Sequence, residues 1–211
     1  MGVVSNTAAP PPAPGILPGG RVIPFRRPGE PATAWLGMVV FLGSWAMMFA
    51  GLFFSYGIVR LRAPAWPPPD QPSLPLLLPG LNVAVVLLSE GALVLAPRWL
   101  RGGRPRVAAA ALVAAVLLGA LFLALQSVVW ISLWGGGLRP DGGPYPSVFY
   151  ALTVFHALHV LVGLAALAWL AARALTGNLG PARRQALRLW AMYWHFVGAV
   201  WVAMYLAVYV V

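Results

Sequence analysis

Five long apolar runs, separated by short segments rich in proline, glycine and arginine, make up most of this chain. Each run approaches or exceeds the roughly 20 residues that a helix needs to cross the hydrocarbon core of a bilayer. The runs are continuously apolar, whereas strands of a membrane β-barrel alternate apolar and polar positions. The pattern therefore predicts an all-α integral membrane bundle of five transmembrane helices, at about residues 34–59, 74–96, 107–133, 147–172 and 187–210.

Proline and glycine separate these runs. Between the first two runs the segment Ala63–Asp70 carries four prolines, which remove N–H donors and clash with a preceding helical turn. Pro97 is expected to end the second helix. Residues 1–33 carry eight prolines and no apolar stretch typical of a signal peptide. They are predicted to form a disordered cytoplasmic tail ahead of a membrane domain at 34–211.

The charges are few and lopsided, and they set the expected topology. Only 9% of the residues are charged, and 14 arginines face four acids. The arginines lie in gaps between apolar runs, so they indicate topology rather than a nucleic-acid surface. Three lie in the tail, four between the second and third helices, four between the fourth and fifth, and three on the other side. The excess of positive charge predicts a cytoplasmic N-terminus and an outside C-terminus.

Glu90, in the second helix, is an ionisable residue within an apolar run, and such residues are costly enough to indicate function. Two interpretations remain open. The carboxylate reaches the membrane surface and pairs with Arg98 or Arg101, or it is a buried acid that hydrogen-bonds another helix.

Three histidines also lie in the predicted spans. His156 and His159 are three residues apart and share a face of the fourth helix, and His195 lies in the fifth. Ligation of a metal or haem competes with polar packing as an explanation. A bis-histidine haem needs ligands from facing helices and a di-metal site needs carboxylates, so packing is favoured. Without cysteine the chain has no thiolate site or disulfide, and we predict no metal-binding or catalytic residue.

Short motifs in order along the chain resemble one known family. Phe155–Val160 with Gly163 resembles the F-H-G-L-H-V…G signature of cytochrome c oxidase subunit III. Tyr193–Val197, followed by Val200 and Trp201, resembles its Y-W-H-F-V-D-x-V-W signature. The remaining matches are Phe49–Phe53 with Tyr56, Arg60 and Trp66–Pro68, then Leu81-Asn82 with Leu87–Ser89, then Gly119–Gln126 with Trp130. The resemblance covers about residues 34–211 and is to the five-helix form of the family.

Four positions depart from the family pattern. The family usually has glutamate at the positions of Trp45 and Val129 and aspartate at that of Gly198, and it more often has a small polar residue at that of Glu90. These departures put in question roles that need the lost carboxylates. We expect Glu90 to replace in part the lost glutamate of the first helix, by donating to a partner across the interface between the first two helices.

The resemblance implies a non-redox subunit III of a haem–copper terminal oxidase, which couples aerobic electron transfer to oxygen with proton pumping. Haem and copper are expected on partner subunits, the catalytic subunit I and subunit II. The chain itself would stabilise the catalytic subunit, bind structural phospholipid and support proton uptake in a bacterial-type inner (plasma) membrane. The expected lipid or subunit contacts are Arg60, Trp66, His156, His159, Trp194 and His195.

Other functions remain open from the sequence. A subunit III-like accessory of a nitric oxide reductase system would share the same helices. A haem-b membrane anchor or a small transporter is a more distant alternative, although a transporter normally shows repeats or broken helices, which the sequence lacks. Whether cytochrome c or quinol donates electrons depends on other subunits, and the identity of any bound lipid is also left open.

Overall fold

The computed structural model describes residues 30–69 and 71–210, and within these ranges it contains five long helices and no strand. The helices are α1 (Glu30–Arg62), α2 (Leu77–Arg101), α3 (Pro105–Gly135), α4 (Pro144–Leu175) and α5 (Pro181–Met204), and a π-helical turn (Tyr205–Val210) continues α5. All five are long and apolar enough to cross a membrane. The predicted all-α bundle of five transmembrane helices is confirmed.

The ends of the helices differ from those expected. The first helix begins at Glu30, and the tail residues 1–29 lie outside the described residues, as does Asp70. The prediction that Pro97 ends the second helix is wrong, because α2 continues through it to Arg101. Proline removes one backbone hydrogen bond, and long membrane helices tolerate this loss where neighbouring groups satisfy the freed carbonyl. By contrast, Pro79 is the third residue of α2, where an N–H would have no helical partner.

Helices α2 to α5 form a closed four-helix arrangement. Each packs on the next, and α5 returns to α2, with the most extensive contact between α2 and α3. The buried face of α3 carries five small residues, which let neighbouring backbones approach closely: Ala108, Ala109, Ala111, Ala115 and Gly119. Helix α1 lies against the outside of this unit, on α4 and α5.

Most arginines of the described residues lie at one end of the bundle. The C-terminal end of α2 meets the N-terminal end of α5, where Arg101, Arg184 and Arg188 line a small cavity of about 50 Å³. At the opposite end, the C-terminus of α1 with Arg62 lies beside the start of α4. The helices therefore alternate in direction, as the loop charges require.

Candidate functional site

Trp194 lies at the point where four helices meet. Its side chain is 5% exposed, and its ring fills space left by two glycines. A Cβ added to Gly119 on α3 or to Gly163 on α4 would lie 2.8 Å from the indole. The indole N–H donates to Ser89 Oγ on α2 at 3.1 Å, and Ser89 in turn donates to the carbonyl of Ala115 on α3 at 3.1 Å. Trp194 thus joins α5 to α2, α3 and α4.

Glu90 and His195, the next residues along α2 and α5, form a second link between these helices. His195 Nδ1 is hydrogen-bonded to Glu90 Oε2. The side chain of Glu90 is 17% exposed and that of His195 is 43% exposed. Of the two interpretations of Glu90, the structure shows the hydrogen bond to another helix rather than a pair with an arginine. The expectation of a partner across the interface of the first two helices is wrong, because the partner lies on α5.

Gly198 creates the space that the Glu90 carboxylate fills. A Cβ at Gly198 would lie 2.5 Å from Glu90 Oε1 and 3.2 Å from Val86 Cγ1. Oε1 is buried and has no hydrogen-bond partner among the described residues. Glu90 therefore brings a carboxylate from α2 to the position on α5 where the sequence lacks one.

His156 is enclosed by aromatic rings in the middle of the bundle. Its side chain is 1% exposed, and its ring stacks on Trp201 with centroids 5.5 Å apart and an interplanar angle of 27°. The rings of Phe122 and Phe49 make edge contacts with the His156 ring, with centroids 5.8 and 6.3 Å from its own. Neither ring nitrogen has a hydrogen-bond partner among the described residues.

His159, one turn along α4, is packed in a similar way. Its Nδ1 lies 2.6 Å from the carbonyl oxygen of Phe155, to which the N–H donates. The His159 ring lies 4.2 Å from the ring of Trp45 and 5.2 Å from that of Phe49 on α1. Tyr193 on α5 donates to the backbone carbonyl of His159 at 3.0 Å. Trp45, at a position of a missing family carboxylate, therefore covers this histidine with an aromatic ring.

The three histidines do not come together with other ligands in the geometry of a metal site within the described part of the chain. Within residues 30–69 and 71–210, no group of three or more His, Cys, Asp or Glu side chains could hold a metal ion. Val129, another position where the family has a carboxylate, is fully buried among apolar side chains. Aromatic rings pack around His156 and His159 instead.

Arg60 and Trp66 form a third cluster, at the end of the bundle away from most arginines. The Arg60 guanidinium lies 5.6 Å from the Trp66 ring, over its face. The ring also makes edge contacts with Tyr56 of α1 at 5.4 Å and Tyr145 of α4 at 4.7 Å. Beside this cluster is a cavity of about 430 Å³, lined by Arg62, Trp66 and Tyr145 with proline and aliphatic side chains.

The structure brings together Glu90, Trp194 and His195, while His156 and His159 form a separate buried cluster and Arg60 and Trp66 a third. Sequence reasoning missed Ser89 and the role of Gly119 and Gly163. A signal was present: two adjacent polar residues near the middle of the second helix and a Trp-His pair near the middle of the fifth.

Comparison with known proteins assigns the chain to a family. The sequence model of cytochrome c oxidase subunit III matches residues 32–211. The chain belongs to the cytochrome c oxidase subunit III family. Cytochrome c oxidase subunit 3 of Synechocystis sp. is 32% identical, and the match covers 86% of this chain and 77% of that protein.

Two further relatives are covered by this chain over about nine tenths of their length. The probable cytochrome c oxidase subunit 3 of Nocardia farcinica is 32% identical over 86% of this chain and 90% of the relative. The probable cytochrome c oxidase subunit 3 of Mycobacterium leprae is 34% identical over 85% of this chain and 89% of the relative. The predicted role as subunit III of a haem–copper oxidase is confirmed, and the comparisons do not favour a nitric oxide reductase accessory, a haem-b anchor or a transporter. Membership implies a complex with other oxidase subunits.

Proposed function

We propose that the chain is a non-redox subunit III that packs against the catalytic subunit I of a haem–copper oxidase and stabilises it, with subunit II in the same complex. The match to the family over the whole membrane domain carries this proposal. The packing of the histidines supports it, because His156 and His159 lie among aromatic rings and His195 is bound to Glu90. Haem and copper would then belong to the partner subunits.

We place the complex in a bacterial inner (plasma) membrane, with the arginine-rich end of the bundle towards the cytoplasm. Eight arginines (Arg98, Arg101, Arg104, Arg106, Arg173, Arg183, Arg184 and Arg188) lie at or between the helix ends on that side, against Arg60, Arg62 and Arg139 on the other. By the positive-inside rule, this difference supports a cytoplasmic N-terminus. The subunit would support proton uptake from that side, with Glu90 as a carboxylate within its membrane spans.

We propose a phospholipid as the ligand of the cavity beside Trp66. Its walls are mostly apolar, and Arg62 lines it near the membrane surface. An acyl chain could occupy the apolar part while the phosphate lies near the arginines. Among the expected contacts, Arg60, Trp66 and His195 are accessible from outside the bundle, whereas His156, His159 and Trp194 are buried and would act by holding the helices together.

Purification of the tagged chain from native membranes in mild detergent tests the proposed function. We expect a larger haem–copper subunit to co-elute, to be visible in reduced-minus-oxidised spectra, and to consume oxygen. The relatives are named cytochrome c oxidases, so we expect reduced cytochrome c rather than quinol to sustain this activity. Reduction of nitric oxide without oxygen consumption, or a chain that elutes alone with its own haem, would overturn the proposal.

A further inference from the structure

The Glu90–His195 pair lies near the middle of two helices long enough to span a membrane, and His195 reaches the surface of the bundle. Glu90 is 13 residues from the start of α2 and 11 from its end. At 1.5 Å per residue these separations are about 20 and 16 Å. The side chain of His195 is 43% exposed, although lipid headgroups and bulk water are too far away to reach it at this depth. A hydrogen-bonding group exposed to hydrocarbon is costly unless another polypeptide covers it.

The second ring nitrogen of His195 is a hydrogen-bond donor whenever the pair has no net charge. Nδ1 faces Glu90, so one proton lies between the two side chains. If the proton is on Nδ1, a neutral pair consists of carboxylate and imidazolium, and Nε2 carries a hydrogen. If the proton is on Glu90, Nδ1 accepts it and the neutral imidazole again carries its hydrogen on Nε2. Because a net charge is expensive in lipid, Nε2 carries a hydrogen, and this donor on a 43% exposed side chain needs an acceptor.

The surface around His195 allows another helix to approach closely. On α2 the exposed neighbours of Glu90 are Leu87, Gly91 and Val94, and on α5 Ala199 lies one turn from His195 and is exposed. A Cβ at Gly91 would meet no atom within 4 Å. We call these residues, with His195, the α2–α5 face. Small residues beside a single polar group are typical of the contact surfaces between membrane helices.

Helix α1 does not cover this face. Its ring contacts with α5 are those of Phe41 with Tyr193 and of Phe49 with Phe196. Tyr193 is buried and Phe196 half-buried. Both point to a different side of α5 from His195, whose side chain turns towards α2.

We propose that a transmembrane helix of another oxidase subunit packs on the α2–α5 face and accepts a hydrogen bond from His195 Nε2. The acceptor would be a side-chain oxygen or a backbone carbonyl freed at a helix irregularity. A second copy of this chain fits less well, because a two-fold contact centred on this face would oppose donor to donor. The inference rests on the proposed function, since it takes the occupant from the same complex.

Site-specific photocrosslinking in the assembled complex tests the proposal. A photoreactive amino acid replaces Ala199, and Leu158, an exposed residue near the middle of α4, serves as the control position. We expect the probe at 199 to attach to a transmembrane segment of another oxidase subunit that carries an acceptor. His195→Phe should lower this yield roughly three- to tenfold, as expected for the loss of one hydrogen bond, while His195→Gln, which keeps an N–H donor, should restore most of it. The yield at 158 should not change.

The alternatives give distinct results. Attachment of the probe at 199 to a second copy of the chain, or to lipid alone while the chain still co-purifies with oxidase subunits, would overturn the inference and leave the proposed function intact. Equal yields for wild type and His195→Phe would overturn the hydrogen bond. Failure of the chain to co-purify with any oxidase subunit would instead refute the proposed function and the inference with it. Thermal unfolding of each variant in detergent, followed by size-exclusion chromatography, identifies any substitution that unfolds the chain.

Discussion

Gly119 and Gly163 are needed because of what lies against them rather than because of their backbone angles. Both lie within helices, and neither has a positive φ. The Trp194 ring occupies the volume where their side chains would be. The tryptophan and the two glycines therefore act as one packing unit, so a methyl group at either glycine must displace the indole and strain its hydrogen bond to Ser89.

We expect Gly163→Ala to destabilise the bundle by about 1–3 kcal/mol, the usual range for overpacking a well-filled core. The matched control is Gly51→Ala in α1, where an added Cβ meets no atom within 4 Å. Alanine is the better helix former, so the control should be neutral or slightly stabilising. Thermal unfolding of the two variants in the same detergent measures the difference. Equal unfolding temperatures would show that Trp194 is not held tightly between these helices.

At the scale of elements, the sequence predicts the helices well and their partners poorly. Long apolar runs must form helices in lipid, so the five spans follow from the local pattern. The partner of Glu90 depends on which helix faces α2, and hydropathy does not record this. The same limit applies to Trp194, whose aromatic character agrees equally with a lipid contact and with the buried packing observed here. The prediction from Pro97 was wrong because a long membrane helix tolerates the loss of the one backbone hydrogen bond that proline removes.

The carboxylate of Glu90 lies next to the position that a side chain at residue 198 would occupy. We therefore expect that a carboxylate can be supplied to this space from either α2 or α5. We expect Glu90→Ala to lower the unfolding temperature, because His195 loses its partner. The double variant Glu90→Ala with Gly198→Asp places a carboxylate on α5, where a Cβ would lie 2.5 Å from the present Glu90 Oε1. It should recover part of the loss. Gly198→Asp alone should destabilise, since two carboxylates would then compete for one space.

Thermal unfolding of these three variants and wild type completes a double-mutant cycle. Coupling between the two positions is the decisive quantity, because each single change is expected to destabilise. Additive effects would mean that the carboxylate of Glu90 has no special relation to the space at Gly198.

Trp66 attaches the segment after α1 to the bundle. The ring makes two edge contacts with tyrosines and one contact with the Arg60 guanidinium. At about 0.5–1.5 kcal/mol for each aromatic pair and 0.5–1 for the cation–π contact, Trp66→Ala should loosen this segment by about 2 kcal/mol. Trypsin should then cleave after Arg62 up to about thirtyfold faster. Trp35→Ala, at a half-exposed tryptophan of α1, should leave the cleavage rate unchanged. A rate unaffected by Trp66→Ala would mean that other contacts hold the segment.

At the scale of the whole molecule, the distribution of charge determines how the bundle inserts. The chain contains no cysteine, so an introduced thiol is unique and its accessibility reports its side of the membrane. Arg104, just before α3, and Arg139, between α3 and α4, are both exposed and lie at opposite ends of the third helix. Each substitution removes one arginine, which makes Arg104→Cys and Arg139→Cys a matched pair.

We expect a membrane-impermeant thiol reagent to label the Arg139→Cys chain in intact spheroplasts and to label the Arg104→Cys chain only after permeabilisation. Eight arginines on one side of the described bundle against three on the other set this direction. The reverse pattern would invert the topology and place the end with Arg101, Arg184 and Arg188 outside. The Trp66 cavity would then face the cytoplasm. The Glu90–His195 pair is insensitive to this inversion, because it lies near the middle of both helices. Topology and subunit contact are therefore tested independently.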